Sequence, residues 1–549
     1  MTARIDALIP DLEAYIASGM KAFDAPGLAI GIVTGDRLVY AKGFGVRGKS
    51  GGGPVDTRTV FQIGSTTKAF LATTMAIGVD HGNFKWDDRV VDLHPDFQLE
   101  DPWVTREFRM FDLMAQRSGL PGYANDVLMA LGYDEPALIR SLRNVEPVSS
   151  FRTTFAYTNV THLLAGRIVA ERAGLADWNT VVRREILDPL GMTETTDSAD
   201  AIEAAADHAR GHRYTPDGSI EVPFTQLSPY AAGAAGAINS SVEDMAKWLR
   251  LQLGNGTFEG RRIVSPENLA VIRTPKVAIS DKVSYAMGWV IIQTPNGGIV
   301  AHNGGTAGFG AYVGLLVDKD VGVVVLTNQQ NMGFPDAVGA WTLDRLLGNP
   351  PHDDVAETLK KVKAKVADDT KTYAKPADAR PFPPLAPLAG NLTNPSFGKA
   401  ALRPDGDALM LALQATGAEL RLEPWNGDIF TIRIVPGGKF AAMAENLGDV
   451  PLGFAQFQMD PTGKLGTLRL SMGGQAFDFS RDPGGKAGER KAVAPAATPG
   501  SGDGGDSRRR ASSSPATAAT TFIRISRNWR PKPSGRSSRR FATRTRGMT

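Results

Sequence analysis

Phe61-Gln62-Ile63-Gly64-Ser65-Thr66-Thr67-Lys68-Ala69-Phe70 decides how the rest of this chain is read. An apolar strip runs into a small-residue turn, and Ser65 and Lys68 then stand three apart where a helix begins. Residues at i and i+3 share a helix face, so a hydroxyl and an amine meet there. A hydroxyl beside an amine of matched proton affinity is a route to an activated nucleophile. Alone the pair carries little, because about one or two Ser-x-x-Lys spacings arise by chance in a chain of this length. Its default reading is a helix start with a solvated lysine.

Working outward, the hydrophobic pattern supplies a frame. Ile5, Leu8, Ile9, Leu12, Tyr15, Ile16, Met20 and Phe23 recur at three- and four-residue steps, which predicts an amphipathic helix. Pro26-Gly27 stops it, and residues 28–33 and 38–44 read as a hairpin about Thr34-Gly35-Asp36-Arg37. The helix begun at Ser65 continues through Ala72, Met75 and Val79 to His81-Gly82, and residues 86–274 read as mostly helical with long loops. Strand signals return at 285–293, 297–302, 311–317 and 322–327, with a helix near 336–347. Strands at both ends with helices between predict one sheet with a helical insertion over residues 1–350.

Residues 351–387 form a charged, helical connector ending in Pro381-Phe382-Pro383-Pro384. In 388–483 the pattern changes to short strands with Gly, Asn and Asp turns, as at 408–413, 419–423, 429–434 and 467–471. That predicts a separate small all-β unit, an antiparallel barrel or sandwich. Residues 484–549 are Gly, Ser, Ala, Pro and Arg with few apolar groups, and are expected to be a disordered basic tail.

Composition sets the limits. A chain of 549 residues is too long for one ordinary core. Its 42% hydrophobic and 22% charged residues are those of a soluble globular protein, and no apolar run approaches the length of a membrane span. The absence of cysteine excludes disulfides, thiol nucleophiles and cysteine-ligated metals. The seven histidines are scattered, so no metal and no cofactor are expected. Net charge is +3, but the twelve Lys and Arg of Ser507–Thr549 meet no acid, which leaves residues 1–506 at 3 − 12 = −9. No nucleic-acid partner is expected, since the basic tail lacks interleaved folded elements. Residues 1–23 lack a signal peptide's basic start and continuous apolar block, so a cytoplasmic location is expected.

Two later motifs lift the Ser65–Lys68 pair above chance. Tyr157-Thr158-Asn159 comes just before a helix, and His302-Asn303-Gly304-Gly305 ends a strand. Taken singly, Tyr157 reads as a core tyrosine, Asn159 as a helix cap and His302 as a strand-end histidine. Taken jointly, in this order and separation, the three motifs resemble those of the serine β-lactamase and penicillin-binding-protein superfamily. The closer resemblance is to its class C-like branch, which includes class C β-lactamases, DD-peptidases, D-aminopeptidases and family VIII esterases. Gln116-Arg117-Ser118-Gly119-Leu120-Pro121, Pro189-Leu190-Gly191-Met192 and Gly288-Trp289 add to a similarity covering about residues 5 to 350.

The resemblance implies an α+β fold, an antiparallel sheet flanked by helices. It implies Ser65, Lys68 and Tyr157 as catalytic groups, with Ser65 acylated and the other two moving its proton. Asn159, His302, Asn303, Gly304 and Gly305 would bind substrate, and the N–H groups of Ser65 and Gly305 would form the oxyanion hole. The expected function is hydrolysis of a small amide, peptide or ester through an acyl-enzyme. The alternatives are a β-lactamase or DD-carboxypeptidase and, further off, a non-catalytic binding protein. His302 stands where many of these relatives have lysine, which favours substrates other than β-lactams. Val148-Ser149-Ser150-Phe151 replaces a common Pro-Gly upstream of Tyr157. Residues 388–483 resemble the lipocalin-like domain of some related peptidases, through Asn394-Pro395-Ser396-Phe397-Gly398 and Trp425-Asn426-Gly427-Asp428. Such a domain is expected to cover the cleft or mediate assembly into a homo-oligomer. Loops 123–133 and 223–236 are expected to shape the pocket for a small-molecule or peptide substrate.

Overall fold

The computed structural model describes residues 1–350, 352–461 and 465–482; the 484–549 segment, expected to be disordered, lies outside the described residues. Helix α1 (Thr2–Phe23) buries Ile5, Leu8, Leu12, Ile16 and Phe23, the stripe its spacing predicts. Strands β1 (Gly27–Thr34) and β2 (Arg37–Gly45) form the hairpin that follows. The chain leaves this edge and returns as β3 (Val277–Ala278), β4 (Val283–Tyr285), β5 (Val290–Thr294), β6 (Gly297–Gly305), β7 (Gly310–Leu316) and β8 (Val321–Thr327). All eight make one antiparallel sheet in the order β2-β1-β8-β7-β6-β5-β4-β3.

β1, β7 and β8 are buried along their whole lengths, because helices cover both faces of the sheet. Behind one face stand α2 (Thr67–Asp80), α3 (Val160–Ala173) and α4 (Val242–Leu253). Against the other lie α1 and α5 (Phe334–Leu347), where Leu28, Ile30 and Ile32 meet Val323, Val325 and Leu343. Helix α2 has no polar face: every residue from Thr67 to Gly78 is buried. Phe70 of α2 stacks on Trp248 at 4.4 Å, and Trp248 on Trp289 at 5.5 Å, so the start of α2 is fixed to the sheet.

One expectation needs correcting. Residues 285–293 are two strands, β4 and β5, because the backbone turns at Gly288 with φ +70°. A Cβ on Gly288 would stand 2.5 Å from the carbonyl oxygen of Lys68. The break therefore lets the sheet edge approach the start of α2.

Helix α6 (Asp354–Tyr373) joins the α1–α5 cluster through Val355 and Val362. The rest is a closed barrel of β9 (Gly390–Asn394), β10 (Gly398–Asp405), β11 (Ala408–Leu413), β12 (Glu419–Asn426), β13 (Ile429–Ile434), β14 (Gly453–Met459), β15 (Leu465–Met472) and β16 (Gln475–Arg481). β9 pairs with β16 to close it, and inward residues such as Leu402, Leu411, Leu420, Ile432, Leu468 and Phe479 fill it. Among the described residues, no helix is long and apolar enough to cross a membrane.

Candidate active site

Ser65 lies in a single helical turn, Gly64–Thr66, that feeds directly into α2, and Lys68 follows one turn later. Lys68 Nζ donates to Ser65 Oγ at 3.0 Å, to Asn159 Oδ1 at 2.6 Å and to the Ala235 carbonyl at 2.8 Å. Those three bonds use every proton of an ammonium group. The side chain is fully buried, and burial pulls its pKa down to about 7, against an opposing pull from the Asp126 carboxylate. The Tyr157 ring centroid lies 4.8 Å from Nζ. Burial also holds the Tyr157 phenol well above its ordinary pKa, while a hydrogen bond with Ser65 works the other way. Near neutrality, then, Lys68 is the group that changes state and Tyr157 is a neutral phenol.

The segment carrying Tyr157 is firmly anchored despite its unusual approach. The Thr158 N–H donates to Gln116 Oε1 at 2.7 Å, Gln116 Nε2 donates to the Thr158 carbonyl at 3.1 Å, and the Ala156 N–H reaches the Gln116 carbonyl at 2.9 Å. Upstream, buried Asp112 takes Arg152 at 2.6 Å and Arg117 at 3.2 Å. Asn159 opens α3 but makes no side-chain cap; its amide instead links Lys68 to Asp126 Oδ2, 2.5 Å from Asn159 Nδ2.

The third motif divides. A Cβ on Gly304 would lie 1.9 Å from the Ile63 carbonyl oxygen and 3.1 Å from Ser65 N, and one on Gly64 would lie 2.7 Å from Gly305 N. The end of β6 and the Ser65 turn are thus in backbone-to-backbone contact, which only glycine permits. Ser65 and Gly305 come to one wall of a cavity of about 140 Å³. His302 and Asn303 do not line it. His302 is buried, donates from Nδ1 to the Asn303 carbonyl at 2.6 Å, and so offers Nε2 as acceptor to the Tyr285 hydroxyl at 3.1 Å. Burial, then the charge of Lys68, lowers its pKa to about 3. It is therefore neutral near pH 7. Asn303 donates to Asp336 on α5 at 2.5 Å and ties the strand to the helix behind it.

Both loops expected to shape the pocket do so: Asp126 and Met129 come from one, and Ser228, Pro229 and Gly236 from the other. Among the described residues lining the cavity, Asp126 is the one that carries charge. Burial raises its pKa to about 6, opposed by Asn159 and Lys68. A larger hollow of about 440 Å³ lies between Glu100 and Phe151, but no lysine, histidine or tyrosine faces its serines.

Residues 12–347 match the sequence profile of the beta-lactamase family. The chain belongs to that family. Residues 374–484, spanning the barrel, match a domain of unknown function, DUF3471. An unguisins hydrolase of Aspergillus violaceofuscus is 27% identical over 484 residues, 79% of this chain and 85% of the relative. Penicillin-binding protein 4 of Amycolatopsis lactamdurans is 26% identical over 378 residues, 66% of this chain and 92% of the relative. The octameric penicillin-binding protein homologue from Pyrococcus abyssi shares the fold with a TM-score of 0.56 at 22% identity, over 86% of this chain and 99% of that one. The class C beta lactamase from Rhodobacter sphaeroides gives 0.51 at 23%, over 60% and 97%. This beta-lactamase-family chain therefore has hydrolases among its relatives.

Three groups at the candidate site were not legible as such in the sequence. Asp126 and the Ala235 carbonyl reach Asn159 and Lys68 only through the folded loops. Gln116 begins the Gln116–Pro121 motif, but its role appears only in the fold, where its side-chain amide bonds both backbone groups of Thr158. Residues 43–50 spell Gly-x-x-x-x-Gly-Lys-Ser, the phosphate-loop pattern. The context contradicts it. No helix follows, Lys49 is paired with Asp24 at 2.5 Å, and Ser50 is held by Glu221.

Proposed function

We propose that this chain is a serine hydrolase that forms an acyl-enzyme on Ser65 and hydrolyses small amide, peptide or ester substrates. The observation that carries the reading is the 3.0 Å bond between Lys68 Nζ and Ser65 Oγ in a buried setting that brings the amine to about pKa 7. An amine so placed is half neutral near pH 7, and its neutral form takes the Ser65 proton as Oγ attacks the carbonyl carbon. The N–H groups of Ser65 and Gly305 hold the oxyanion. The proton then passes from Lys68, with the Tyr157 hydroxyl as relay, to the leaving amine or alcohol as its bond breaks. Water, deprotonated by the same pair, releases the acid and restores Ser65.

Cavity charge supports the choice of substrate. A carboxylate beside the scissile bond would meet Asp126, and His302, neutral and buried away from the cavity, would offer it no cation. That weighs against β-lactams and DD-carboxypeptidase substrates and favours neutral or amine-bearing acyl donors. A relative named for hydrolysing unguisins is in keeping with this reading. The test is covalent labelling by a fluorophosphonate. Wild type is labelled and Ser65→Ala is not; equal labelling of the two would falsify the acyl-serine assignment. Turnover of a chromogenic cephalosporin at the rate of short p-nitrophenyl esters would overturn the substrate preference.

A further inference from the structure

A single barrel side chain bonds the backbone of the active-site loop at two points. Gln475 is the first residue of β16, just past the Gly473-Gly474 turn that joins it to β15. Its Nε2 donates to the Tyr123 carbonyl at 2.9 Å, and its Oε1 accepts from the Asn125 N–H at 3.2 Å. One amide thus satisfies two backbone groups of a segment some 350 residues away, as a neighbouring strand would. That segment needs the support. Tyr123 and Asn125 both adopt left-handed backbone, at φ 58° and 59°, a conformation that a non-glycine residue holds only when its surroundings enforce it. The next residue is Asp126, whose carboxylate takes the Asn159 amide that in turn takes Lys68. On its other side the Tyr123 N–H reaches the Tyr157 carbonyl at 2.5 Å.

We propose that Gln475 is a positioning residue: from the barrel, it holds the 123–126 loop so that Asp126 keeps Asn159, and through it Lys68, aligned on Ser65. The barrel domain is then part of the machinery that readies the nucleophile. The proposal rests on Ser65 being the acylated group, and its test separates the two.

Inactivation by a fluorophosphonate is followed in wild type, Gln475→Ala, Gln475→Glu, and Arg469→Ala, the last removing an exposed ion pair on the same two strands. Gln475→Ala is expected to slow kinact about tenfold, the effect of losing two ordering hydrogen bonds. KI and the final labelled fraction stay unchanged, where simple misfolding would lower the fraction and leave the rate. Gln475→Glu keeps the acceptor and loses the donor, so its rate falls between the two; Arg469→Ala matches wild type. In an Asp126→Ala background the Gln475→Ala change has little further effect, because the route through Asp126 is already cut. A wild-type rate in Gln475→Ala, or full additivity with Asp126→Ala, overturns the proposal while leaving the acyl-serine reading intact. Failure of wild type to label, or labelling of Ser65→Ala, overturns both.

Discussion

Lys68 and Asp126 sit at the two ends of one amide, and the charge of each partly offsets the shift that burial imposes on the other. Lys68 is lowered to about 7 by burial, and the Asp126 carboxylate pushes it back up. In the proposed mechanism only neutral Lys68 takes the Ser65 proton, so the rate of acylation is expected to climb as pH rises through that pKa. Asp126→Asn removes the charge that favours the ammonium while keeping an oxygen for the Asn159 amide. Lys68 then loses its proton more easily, and the acid limb of the pH–rate profile moves to lower pH. The effect belongs above about pH 6, where Asp126 is charged. Fluorophosphonate inactivation measured across pH 5 to 9 checks it, and a limb that stays in place or moves upward would sink the coupling. This coupling also marks how far the sequence could be read at the level of single residues. Ser65, Lys68, Tyr157 and Asn159 were legible because each lies within a short motif whose spacing fixes its geometry. Asp126 was not, because its partner Asn159 lies 33 residues along the chain and only the folded loop brings the two together. His302 was legible in identity but not in charge, since its burial against Tyr285 depends on the sheet.

At the level of elements, the site exists because a strand end and a helix start touch through their backbones. Gly304 is the point of closest approach. Gly304→Ala places a methyl group into the Ile63 carbonyl and must push the Ser65 turn away from β6. Overpacking of this kind costs about 1–3 kcal/mol, and displacement of the nucleophile by about an ångström costs roughly a hundredfold in rate. The variant should fold, unfold at a lower temperature and label far more slowly than wild type. Labelling at the wild-type rate would show that the contact does not set the position of Ser65. Elements of this kind were readable where one periodicity governed them, as in α1 or the strands of the barrel. The 285–293 run reads as one strand because apolar residues continue on both sides of Gly288, whereas the turn there serves the approach to Lys68. An unbroken apolar run cannot report a contact with a distant backbone.

At the scale of the whole molecule, barrel and helical region are joined by packing as well as by the bonds of Gln475. Phe397 is the centre of that packing. Its ring is fully buried against Phe477 and Phe479, at 4.9 and 5.2 Å, inside the barrel. It also meets Tyr133 of the active-site loop at 5.9 Å, and the Tyr133 hydroxyl donates to its carbonyl at 2.7 Å. The sequence separates these residues by 264 positions, so nothing in either local pattern predicts that they share a core. Truncating a buried phenylalanine to alanine costs about 3–5 kcal/mol. If the barrel were an independent appendage, Phe397→Ala would lower the barrel's unfolding temperature alone. Because the same ring supports Tyr133, the loss should spread: hydrogen exchange over residues 123–133 should quicken under native conditions, and labelling of Ser65 should slow with it. Hydrogen exchange read peptide by peptide distinguishes the two outcomes. Faster exchange confined to 388–482, with the 123–133 segment and the labelling rate unchanged, would mean that barrel and site are adjacent without being coupled.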